Sequence, residues 1–415
     1  MADKVIVIGG GAAGLLAAGT AAELGAEVEL LEKNDILAKK LRISGKGRCN
    51  LTNAMPIAEF IACYPGNGKF LYSALARFTN QDLIEFVARY GVSVKIERGQ
   101  RVFPESDNAH QVAEALISYA KEHGVEFRTN TKAVKLCVSQ GRIEGVKTNT
   151  GFYKANKVII ATGGASYPGT GSTGDGYELA AAVGHTIITP FPALVPLRVK
   201  EAWVSLVSGL TLKNVAATII QGNDTKGGIR EFGEMQFAHF GVTGPIILTL
   251  SRQVSLWLRE GSSVTLSIDL KPALSETQLD RRIQRDFEQV KRRQFKNSLN
   301  QLLPKSLIPV IVALSNIDPE KPVHQITRGE RQNLAKLFKE LKLGIVGTLP
   351  LSAAIITAGG VCVREIDSKT MQSRLVKGLY FAGEVIDVDG VTGGFNLQAA
   401  VSTGRLAGFS AVEGN

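Results

Sequence analysis

The chain opens with an apolar run, a glycine-rich turn and a helical pattern in direct succession. Val5-Ile6-Val7-Ile8 is typical of a short buried strand, and residues 12–24 have the composition and spacing of a helix. Gly25 ends this helix, and residues 27–32 return as a second strand. The pattern therefore predicts a βαβ unit at the start of the chain.

Helical and strand patterns then alternate as far as Pro190. An amphipathic spacing of apolar residues predicts each helix, and an alternation with period two predicts each short strand. The expected elements are helices at 70–90 and 107–123, a strand at 92–96, a β-meander at 126–138 and 145–150, and an apolar strand at 157–161.

The pattern changes after Pro190, where Gly, Asn and Pro separate short β-like runs at 216–221, 246–250 and 263–270. From Ser275, a candidate helix N-cap, the chain becomes helical and charged. Strand character returns from Leu349, and a final helix is expected near 397–410. We therefore expect an α/β domain formed by 1–190 and 345–415, a β-rich insert at 191–273 and a small helical cap at 274–344.

The composition is that of a globular protein with a large core, since 44% of the 415 residues are hydrophobic and the length suggests two or three domains. The four cysteines form no CxxC pair, so neither a disulfide framework nor a metal site is indicated. No signal peptide and no membrane-spanning apolar stretch is recognised, so a cytoplasmic protein is expected. The formal net charge of +10 favours anionic ligands.

Gly9-Gly10-Gly11-Ala12-Ala13-Gly14 fits the pattern GxGxxG, directly after a strand and at the start of a helix. Glycines in this context let backbone N–H groups approach a pyrophosphate, whose charge the helix N-terminus favours. Glu32 ends the second strand, where its carboxylate can accept hydrogen bonds from ribose hydroxyls. A bound adenine dinucleotide is expected; the alternative, a glycine-rich packing turn, leaves Glu32 unexplained.

Further segments favour FAD over NAD. Residues 39–53 are small and basic, and can place main-chain donors and acceptors along a flat ring system; the alternative is a basic surface loop. Residues 158–164 and 380–384 read as strands that end in small-residue turns. Gly393-Gly394-Phe395-Asn396 starts the last helix, whose N-terminus would face the pyrimidine edge of a flavin. Several separated glycine-rich turns therefore predict a non-covalently bound FAD.

With these motifs the chain resembles the BaiN-like NAD(P)/FAD-dependent oxidoreductases, bacterial flavoproteins with an FAD domain of the glutathione reductase and fumarate reductase type. Residues 44–53 and 393–398 carry the resemblance most specifically. It implies an α/β fold: a Rossmann-like FAD-binding domain, with a central parallel sheet and a β-meander, interrupted by a β-rich and a helical domain. Two positions depart from the expected pattern, because Glu384 stands where the wider group usually has Asp, and Ala238 replaces a hydroxyl residue.

The motifs and the resemblance together supply the candidate FAD-binding residues. They are Gly9, Gly11, Ala12, Ala13, Gly14, Glu32, Lys33, Lys40, Ser44, Gly45, Gly47, Arg48, Cys49, Asn50, Thr52, Asn53, Val134, Thr162, Gly163, Gly164, Gly383, Glu384, Gly394, Phe395, Asn396, Gln398 and Ala399.

A second GxGxxG, Gly169-Thr170-Gly171-Ser172-Thr173-Gly174, does not predict a second dinucleotide site. Several residues separate it from the preceding strand, and no acid closes the strand after Gly184. We expect residues 165–176 to cap the flavin, with a flexible surface loop as the alternative. NAD(P)H, if it is the electron donor, would dock transiently over the flavin.

The candidate catalytic residues are His239, Arg48 and Tyr167. Histidine titrates near neutral pH, although a lone histidine is more often structural. Arg48 can bind an anionic substrate or polarise a carbonyl, and can equally hold the cofactor. A redox role for Cys49 would need a second thiol, and none is adjacent in the sequence.

These observations predict an FAD-dependent oxidoreductase that transfers a hydride at flavin N5 on a small organic substrate. The resemblance implies NAD(P)H-dependent reduction of a conjugated C=C bond, or oxidation of an amine. A flavin-containing nucleic-acid-binding protein is a further alternative, because of the net charge and the arginine-rich residues 281–293. The interleaved Asp280, Asp286 and Glu288 instead indicate a solvated helix face, which makes nucleic acid the less favoured partner.

Overall fold

The computed structural model describes residues 4–222 and 227–414. The chain divides into two compact units: a first unit of Met1–Pro192 with Leu351–Asn415, and a second unit of Ala193–Pro350. The finer division into three domains stays a prediction. Within the described residues, no helix is long and apolar enough to cross a membrane.

The described strands, in chain order, are β1 Lys4–Ile8, β2 Glu27–Leu31, β3 Thr52–Asn53, β4 Val94–Glu97, β5 Arg101–Pro104, β6 Glu126–Arg128, β7 Ala133–Ser139, β8 Arg142–Thr148, β9 Phe152–Lys154, β10 Lys157–Ile160, β11 Ile187–Ala193, β12 Leu197–Val199, β13 Thr211–Gln221, β14 Ile229–Ala238, β15 Gly241–Thr243, β16 Val264–Asp269, β17 Leu341–Thr348, β18 Ile356–Val361 and β19 Leu379–Phe381.

The described α-helices are α1 Ala12–Glu23, α2 Lys39–Ile43, α3 Tyr72–Arg77, α4 Asn80–Arg89, α5 Ala109–Glu122, α6 Asp175–Ala181, α7 Pro245–Arg259, α8 Glu276–Gln289, α9 Ile308–Leu314, α10 Arg328–Lys339 and α11 Phe395–Glu413.

The first unit is built on a parallel sheet in the order β19-β10-β1-β2-β6. The side chains of β10 and β19 are all buried, which is why these strands read as continuous apolar runs. Strand β6 joins this sheet beside β2, whereas β7, β8 and β9 form the antiparallel meander. The predicted α/β class, with a Rossmann-like parallel sheet and a meander, is confirmed.

Helices α1 and α11 approach each other backbone to backbone. A Cβ atom on Gly404 would lie 2.3 Å from the Ala13 carbonyl oxygen, and one on Gly408 would lie 2.3 Å from that of Ala17. Side chains larger than hydrogen would separate the helices at these two positions. This contact fixes the C-terminal helix on the helix that follows the first glycine-rich turn.

The second unit contains a closed antiparallel barrel in the order β12-β15-β14-β13-β16-β17. The expected β-run at 246–250 is wrong, because these residues belong to α7. Pro245 occupies the first turn of this helix, and Ile246, Leu250 and Val254 are buried at helical spacing. A five-residue apolar window could not distinguish a strand from a buried helix face.

The charged segment after the barrel strands is helical, as predicted. Ser275 caps α8, because its side-chain Oγ accepts the backbone N–H of Gln278 and the Gln278 Oε1 accepts the backbone N–H of Ser275. Helices α9 and α10 follow, and the chain then returns as β17 between β12 and β16. Residues 341–344, expected in the helical cap, therefore lie in a barrel strand.

Candidate dinucleotide-binding site

The glycine turn after β1 is crowded at both ends and open in the middle. A Cβ atom on Gly9, which has a φ of +108°, would lie 2.5 Å from the Ala161 carbonyl oxygen. One on Gly14 would lie 1.9 Å from the carbonyl oxygen of Gly9, whereas one on Gly11 would meet no atom within 4 Å. The turn is therefore as tight as a Rossmann turn requires, with its free face at Gly11.

Helix α1 begins at this open face without a side-chain cap. Gly11 is its N-cap residue, and the first turn contains no acidic side chain. The first backbone N–H groups of a helix have no partner inside the helix and carry partial positive charge. The residues present fit a pyrophosphate, which would satisfy these donors at the one glycine that leaves room for it.

Glu32 is buried beside the turn, and its carboxylate already orders the surrounding backbone. Its Oε2 accepts the Gly10 N–H at 2.7 Å, and its Oε1 accepts the Asn34 backbone and side-chain N–H groups at 2.8 and 2.7 Å. Each carboxylate oxygen has two lone pairs, so Oε2 has capacity for a further donor. This geometry suits the predicted bond to a ribose hydroxyl.

A pocket opens next to Glu32 at the carboxyl ends of β1, β2 and β10. Ligands of open α/β sheets bind at this edge of the strands. Within the described residues, the Oγ1 of Thr162 is buried here without a hydrogen-bond partner. The pocket is lined by Ile8, Gly9, Leu31, Glu32, Lys33, Thr131, Lys132, Ala133, Thr162, Gly171, Asp175 and Leu179.

Residues 165–174, named here the 165–174 loop, are fastened to the chain just after β2. Lys33 Nζ donates to Thr173 Oγ1 and pairs with Asp175, at the start of α6. Asn34 Nδ2 donates to the Thr170 carbonyl oxygen at 3.1 Å. A side chain on Gly171 would meet this amide at 2.4 Å. The loop thus lies beside Glu32, and the expected role of residues 165–176 as a cap over the flavin stays a prediction.

Four distant segments of the first unit meet at Lys40 and Glu384. Lys40 Nζ donates to Ser166 Oγ at 2.8 Å and to Glu384 Oε2 at 2.7 Å. The Thr357 backbone N–H donates to Glu384 Oε1 at 2.8 Å. Ser166 and Thr357 were not predicted from the sequence. Hydroxyl residues beside small-residue turns are the weak signal that could have found them.

Gly383 brings this cluster next to the first glycine turn. A Cβ atom on Gly383 would lie 2.8 Å from the Cβ of Ala13, in the first turn of α1. The φ of Gly383 is +76°, a conformation that favours glycine. The predicted residues Gly9, Gly11, Ala12, Ala13, Gly14, Lys40, Gly383 and Glu384 therefore lie in one neighbourhood.

Strand β3, with Asn50 just before it, and the N-terminus of α11 are joined by side chains. Thr52 Oγ1 donates to Gln398 Oε1 at 2.7 Å, and Asn53 Nδ2 donates to the Gly393 carbonyl oxygen at 3.2 Å. With its amide oriented so that both ends have partners, Asn50 accepts the Gly394 N–H at 3.0 Å. These predicted residues are thus brought together, and their side chains hold the two segments in register.

The buried side chain of Gln398 has little capacity left for a ligand. Besides the bond from Thr52, its Nε2 donates to the Phe78 carbonyl oxygen at 3.1 Å and to Ser402 Oγ at 3.0 Å. Asn396 similarly bonds to both backbone groups of Gly390 at 2.7 Å. The Asn396 amide therefore shapes the turn before α11, and the Gln398 amide ties α11 to β3 and to the end of α3.

Arg48 is held by protein groups. Its guanidinium donates to Asp107 Oδ1 at 2.7 Å, pairs with Glu97, and stacks over the Phe103 ring at 4.3 Å. A hydrogen bond from Arg48 lowers the pKa of Glu97. Hydrogen bonds from Lys95, which has the larger effect, and from Arg48 lower the pKa of Asp107. The arginine thus anchors the loop that contains it.

Cys49 is fully buried next to Arg48, and burial raises its pKa to about 12. The side chain is therefore a neutral thiol near pH 7, which is poorly nucleophilic. All four cysteines of the chain are free. The geometry gives no support to a redox thiol at this position.

The remaining predicted residues lie in four settings. Phe395 is buried, with its ring 5.1 Å from that of Phe60, so it belongs to a local core. Val134 and Tyr167 are exposed, the latter in the left-handed region with a φ of +52°. Lys33, Thr162, Gly163 and Gly164 lie along the pocket edge or its turn, while Ser44, Gly45, Gly47 and Ala399 belong to the loop before β3 and to α11.

His239 belongs to the second unit. It lies in the turn between β14 and β15, where it is exposed and its ring lies 5.0 Å from that of Phe240. Within the described residues, no group of three or more His, Cys, Asp or Glu side chains is arranged to hold a metal ion. A catalytic role for His239 stays a prediction.

The sheet, the glycine turn and the buried acid together define the Rossmann-type fold of the FAD-dependent oxidoreductases. Residues 3–410 match the family described as HI0933-like protein Rossmann domain, and the chain belongs to this family. The resemblance and the oxidoreductase class predicted from the sequence are thereby confirmed. The roles of individual residues stay predictions.

Relatives of the chain have two kinds of name. It is 33% identical over 419 residues to a 3-dehydro-bile acid delta(4,6)-reductase of Clostridium scindens, covering 99% of both chains. It is 32% identical over 415 residues to a ribosomal RNA dihydrouridine synthase of Haemophilus influenzae, covering 98% of this chain and 97% of the relative.

Among solved structures, a 3-ketosteroid delta1-dehydrogenase from Sterolibacterium denitrificans superposes with a TM-score of 0.55 at 14% identity, covering 100% of both chains. At this level of identity the likeness shows a shared fold.

Proposed function

We propose that this protein is an FAD-dependent reductase that adds hydrogen across a C=C bond conjugated with a carbonyl group. The proposal rests on family membership along residues 3–410, together with the names of the two relatives. Both names describe this step, since dihydrouridine is uridine with two hydrogens added across the C=C bond next to a ring carbonyl. The fold and the open face at Gly11 support FAD as the group that transfers the hydride.

We assign each part of the site a role toward FAD. The turn at 9–14 and the first N–H groups of α1 would hold the pyrophosphate, and Glu32 would accept hydrogen bonds from the adenosine ribose. Bound FAD, once reduced by the electron donor, would supply a hydride from its N5 position. The N-terminus of α11, preceded by Gly394, would favour negative charge at the pyrimidine edge of the ring.

Lys40 is the cation best placed to add to this effect. Two of its three N–H donors are used by Ser166 and Glu384, so one donor remains for a phosphate or for the ring edge. We propose Tyr167 and His239 as candidates for the group that protonates the substrate. Arg48 is assigned to loop anchoring, because two carboxylates and a ring already hold it.

The test separates the electron donor from the substrate. Holoenzyme is mixed anaerobically with NADPH or NADH, and loss of the visible flavin absorbance reports reduction. A second sample is reduced with dithionite, and return of the absorbance is followed after adding a 3-keto steroid acid with conjugated C=C bonds, its saturated analogue, or a uridine-containing RNA.

The proposal predicts that a conjugated compound, and not its saturated analogue, restores the absorbance. If no conjugated substrate reoxidises the dithionite-reduced enzyme, the proposed reaction is wrong. Bleaching by an amine with peroxide formed in air would instead identify an amine oxidase. If neither NADPH nor NADH bleaches the flavin, NAD(P)H is not the electron donor. The proposed transfer from reduced flavin to the C=C bond would be unaffected, because dithionite tests it separately.

A uracil base within RNA is the second candidate substrate. The observation that favours it is the uneven charge of the chain. The second unit contains 22 Lys and Arg against 14 Asp and Glu, whereas the first unit contains 26 against 24. A formal charge of +8 out of +10 therefore belongs to the smaller unit, as expected for a protein that meets a polyanion.

A further inference from the structure

Basic residues crowd the end of α8 in the second unit. Arg281 and Arg285 are one turn apart on its exposed face, while Leu279 and Ile283 face the core. Lys291, Arg292 and Arg293 follow in the turn after the helix, and all three are exposed. The side chains of Arg281, Arg285, Arg292 and Arg293 are named here the arginine surface.

The acids interleaved with these arginines are already neutralised by other cations. Asp280 accepts from Arg331 at 2.6 Å, and Asp286 accepts from Arg282 at 2.8 Å. Glu288 pairs with Lys291 at 2.8 Å. The sequence pattern indicated an ordinary solvated face with balanced charge, but the pairing leaves the arginine surface with an excess of positive charge.

Three members of this surface have no acidic partner. Among residues 4–222 and 227–414, no carboxylate pairs with Arg281, Arg292 or Arg293, and the carboxylate of Asp286 lies 3.9 Å from Arg285. Unpaired guanidinium groups of this kind can bind phosphate oxygens with two parallel hydrogen bonds. The surface therefore offers four guanidinium groups to an anionic partner.

The backbone that presents Arg292 and Arg293 is fixed. The Arg293 N–H donates to the Val290 carbonyl oxygen at 2.8 Å, and its own carbonyl oxygen accepts the Val323 N–H at 3.0 Å. The Lys291 carbonyl oxygen accepts the His324 N–H at 3.3 Å. A turn held at three points loses less backbone entropy on binding than a free basic tail.

We infer that the arginine surface is a docking site for the phosphodiester backbone of RNA. This inference deepens the proposed function and rests on the proposal that a uracil base within RNA is a substrate. The four guanidinium groups contact phosphates and so position the RNA without selecting a sequence. A small carboxylated substrate has no use for such a surface, because its charge is satisfied by a single cation.

The experiment compares two variants with equal loss of charge. The surface variant is Arg281→Gln, Arg292→Gln and Arg293→Gln. The control variant is Lys121→Gln, Lys213→Gln and Lys369→Gln, three exposed lysines outside the arginine surface. Binding of holoenzyme to a fluorescent, uridine-containing RNA hairpin is measured by anisotropy over a range of salt concentrations.

The surface variant should bind the hairpin roughly tenfold or more weakly at low salt. The negative slope of log K against log salt should become shallower by about 3 relative to wild type. The control variant should lose little affinity and keep its slope. Equal losses in the two variants would overturn the inference, because they would reflect net charge alone. Preferential binding to anionic phospholipid vesicles would overturn it as well, in favour of a membrane surface.

Failure of this inference is distinguishable from failure of the proposed reaction. Flavin reoxidation by a small conjugated substrate is measured on the same variants, and the surface variant should match wild type. If the surface variant loses RNA binding and no conjugated substrate is accepted, the docking surface is supported and the proposed reductase reaction is wrong. If a small conjugated substrate is turned over and the surface variant binds RNA as wild type does, the proposed reaction is supported and the docking surface is wrong.

Discussion

The two GxGxxG segments of the first unit have the same letters and different structures. In the first, residues 9–14 connect β1 directly to α1, with a close backbone contact at Gly14 and open space at Gly11. In the second, residues 169–174 lie in a loop that Lys33 and Asn34 hold from the side. The first turn has an open face for a ligand, whereas the second segment packs against Lys33 and Asn34 of the same chain.

The difference shows what the pattern itself encodes. Glycines permit left-handed backbone and close approach wherever they occur, and Gly9, Gly171 and Gly174 all have positive φ. An anion site also requires that a helix begin within the turn and that its first N–H groups remain free. A helix follows each segment, but α1 begins inside the first segment with no acid in its first turn, whereas α6 begins only after Gly174 and has Asp175 in its first turn. The point at which the helix begins, rather than the glycine spacing, therefore separates the two segments.

The largest expected effect is that of Gly14→Ala in the first turn. The added methyl group would lie 1.9 Å from the Gly9 carbonyl oxygen, so α1 must move away from β1. We expect a loss of about 3 kcal/mol or more in stability and little soluble holoprotein. Thermal denaturation followed by circular dichroism measures this. A variant with an unchanged midpoint would show that the close packing inferred for the first turn is wrong.

The first turn was predictable from the sequence because its determinants are local. Strand, glycines, helix and Glu32 lie within 30 consecutive residues, and their spacing reports their geometry. The Lys40–Glu384 pair joins residues 344 positions apart, and no local pattern encodes that meeting. The same holds for the barrel, where β12 pairs with β17 across the whole second unit.

Local patterns do not specify the partner of a polar side chain. The buried amide of the motif residue Gln398 is bonded to Thr52, Phe78 and Ser402. Arg48, a candidate for binding substrate or cofactor, has Glu97 and Asp107 as partners, and the roles of both residues stay predictions. A motif records that a polar side chain is needed, whereas only the fold shows whether its partner is protein or ligand.

A matched pair of alanine substitutions compares the two GxGxxG segments directly. Its expected effect, on FAD affinity rather than on folding, is smaller than that of Gly14→Ala. Gly11→Ala and Gly169→Ala each add a methyl group that meets no protein atom within 4 Å, and neither glycine has a positive φ. Both variants should therefore fold with nearly unchanged stability. Gly11→Ala should weaken FAD binding by about 10- to 100-fold, the equivalent of losing one charged hydrogen bond.

Gly169→Ala is the control, and it should bind FAD as wild type does. Affinity is measured by the change in FAD fluorescence when the cofactor is added to apoprotein. Wild-type affinity in both variants would remove the proposed pyrophosphate site from Gly11. A similar loss in both would mean that the second segment also lies against the phosphates, contrary to the distinction drawn between the turns.

The smallest expected effect concerns the fastening of the 165–174 loop by the Lys33–Asp175 pair. Burial alone would raise the pKa of Asp175, but the hydrogen bond and charge of Lys33 outweigh burial and lower it overall. A lowered carboxyl pKa means that the ion pair is complete above the ordinary aspartate value of about 4 and is lost as pH falls through the lowered value.

If the fastened loop retains the adenosine end of FAD, the rate of FAD release should depend on this pair. At neutral pH, Asp175→Asn should release FAD about two- to fivefold faster than wild type, since a partly exposed pair contributes roughly 0.5–1 kcal/mol. The two rates should converge only after the pH has fallen from about 4 through the lowered pKa of Asp175, where the wild-type carboxylate is also neutral. Asp35→Asn removes a nearby exposed carboxylate and should follow wild type at every pH. Parallel pH profiles for wild type and Asp175→Asn would mean that the second glycine segment is fastened without acting on the cofactor.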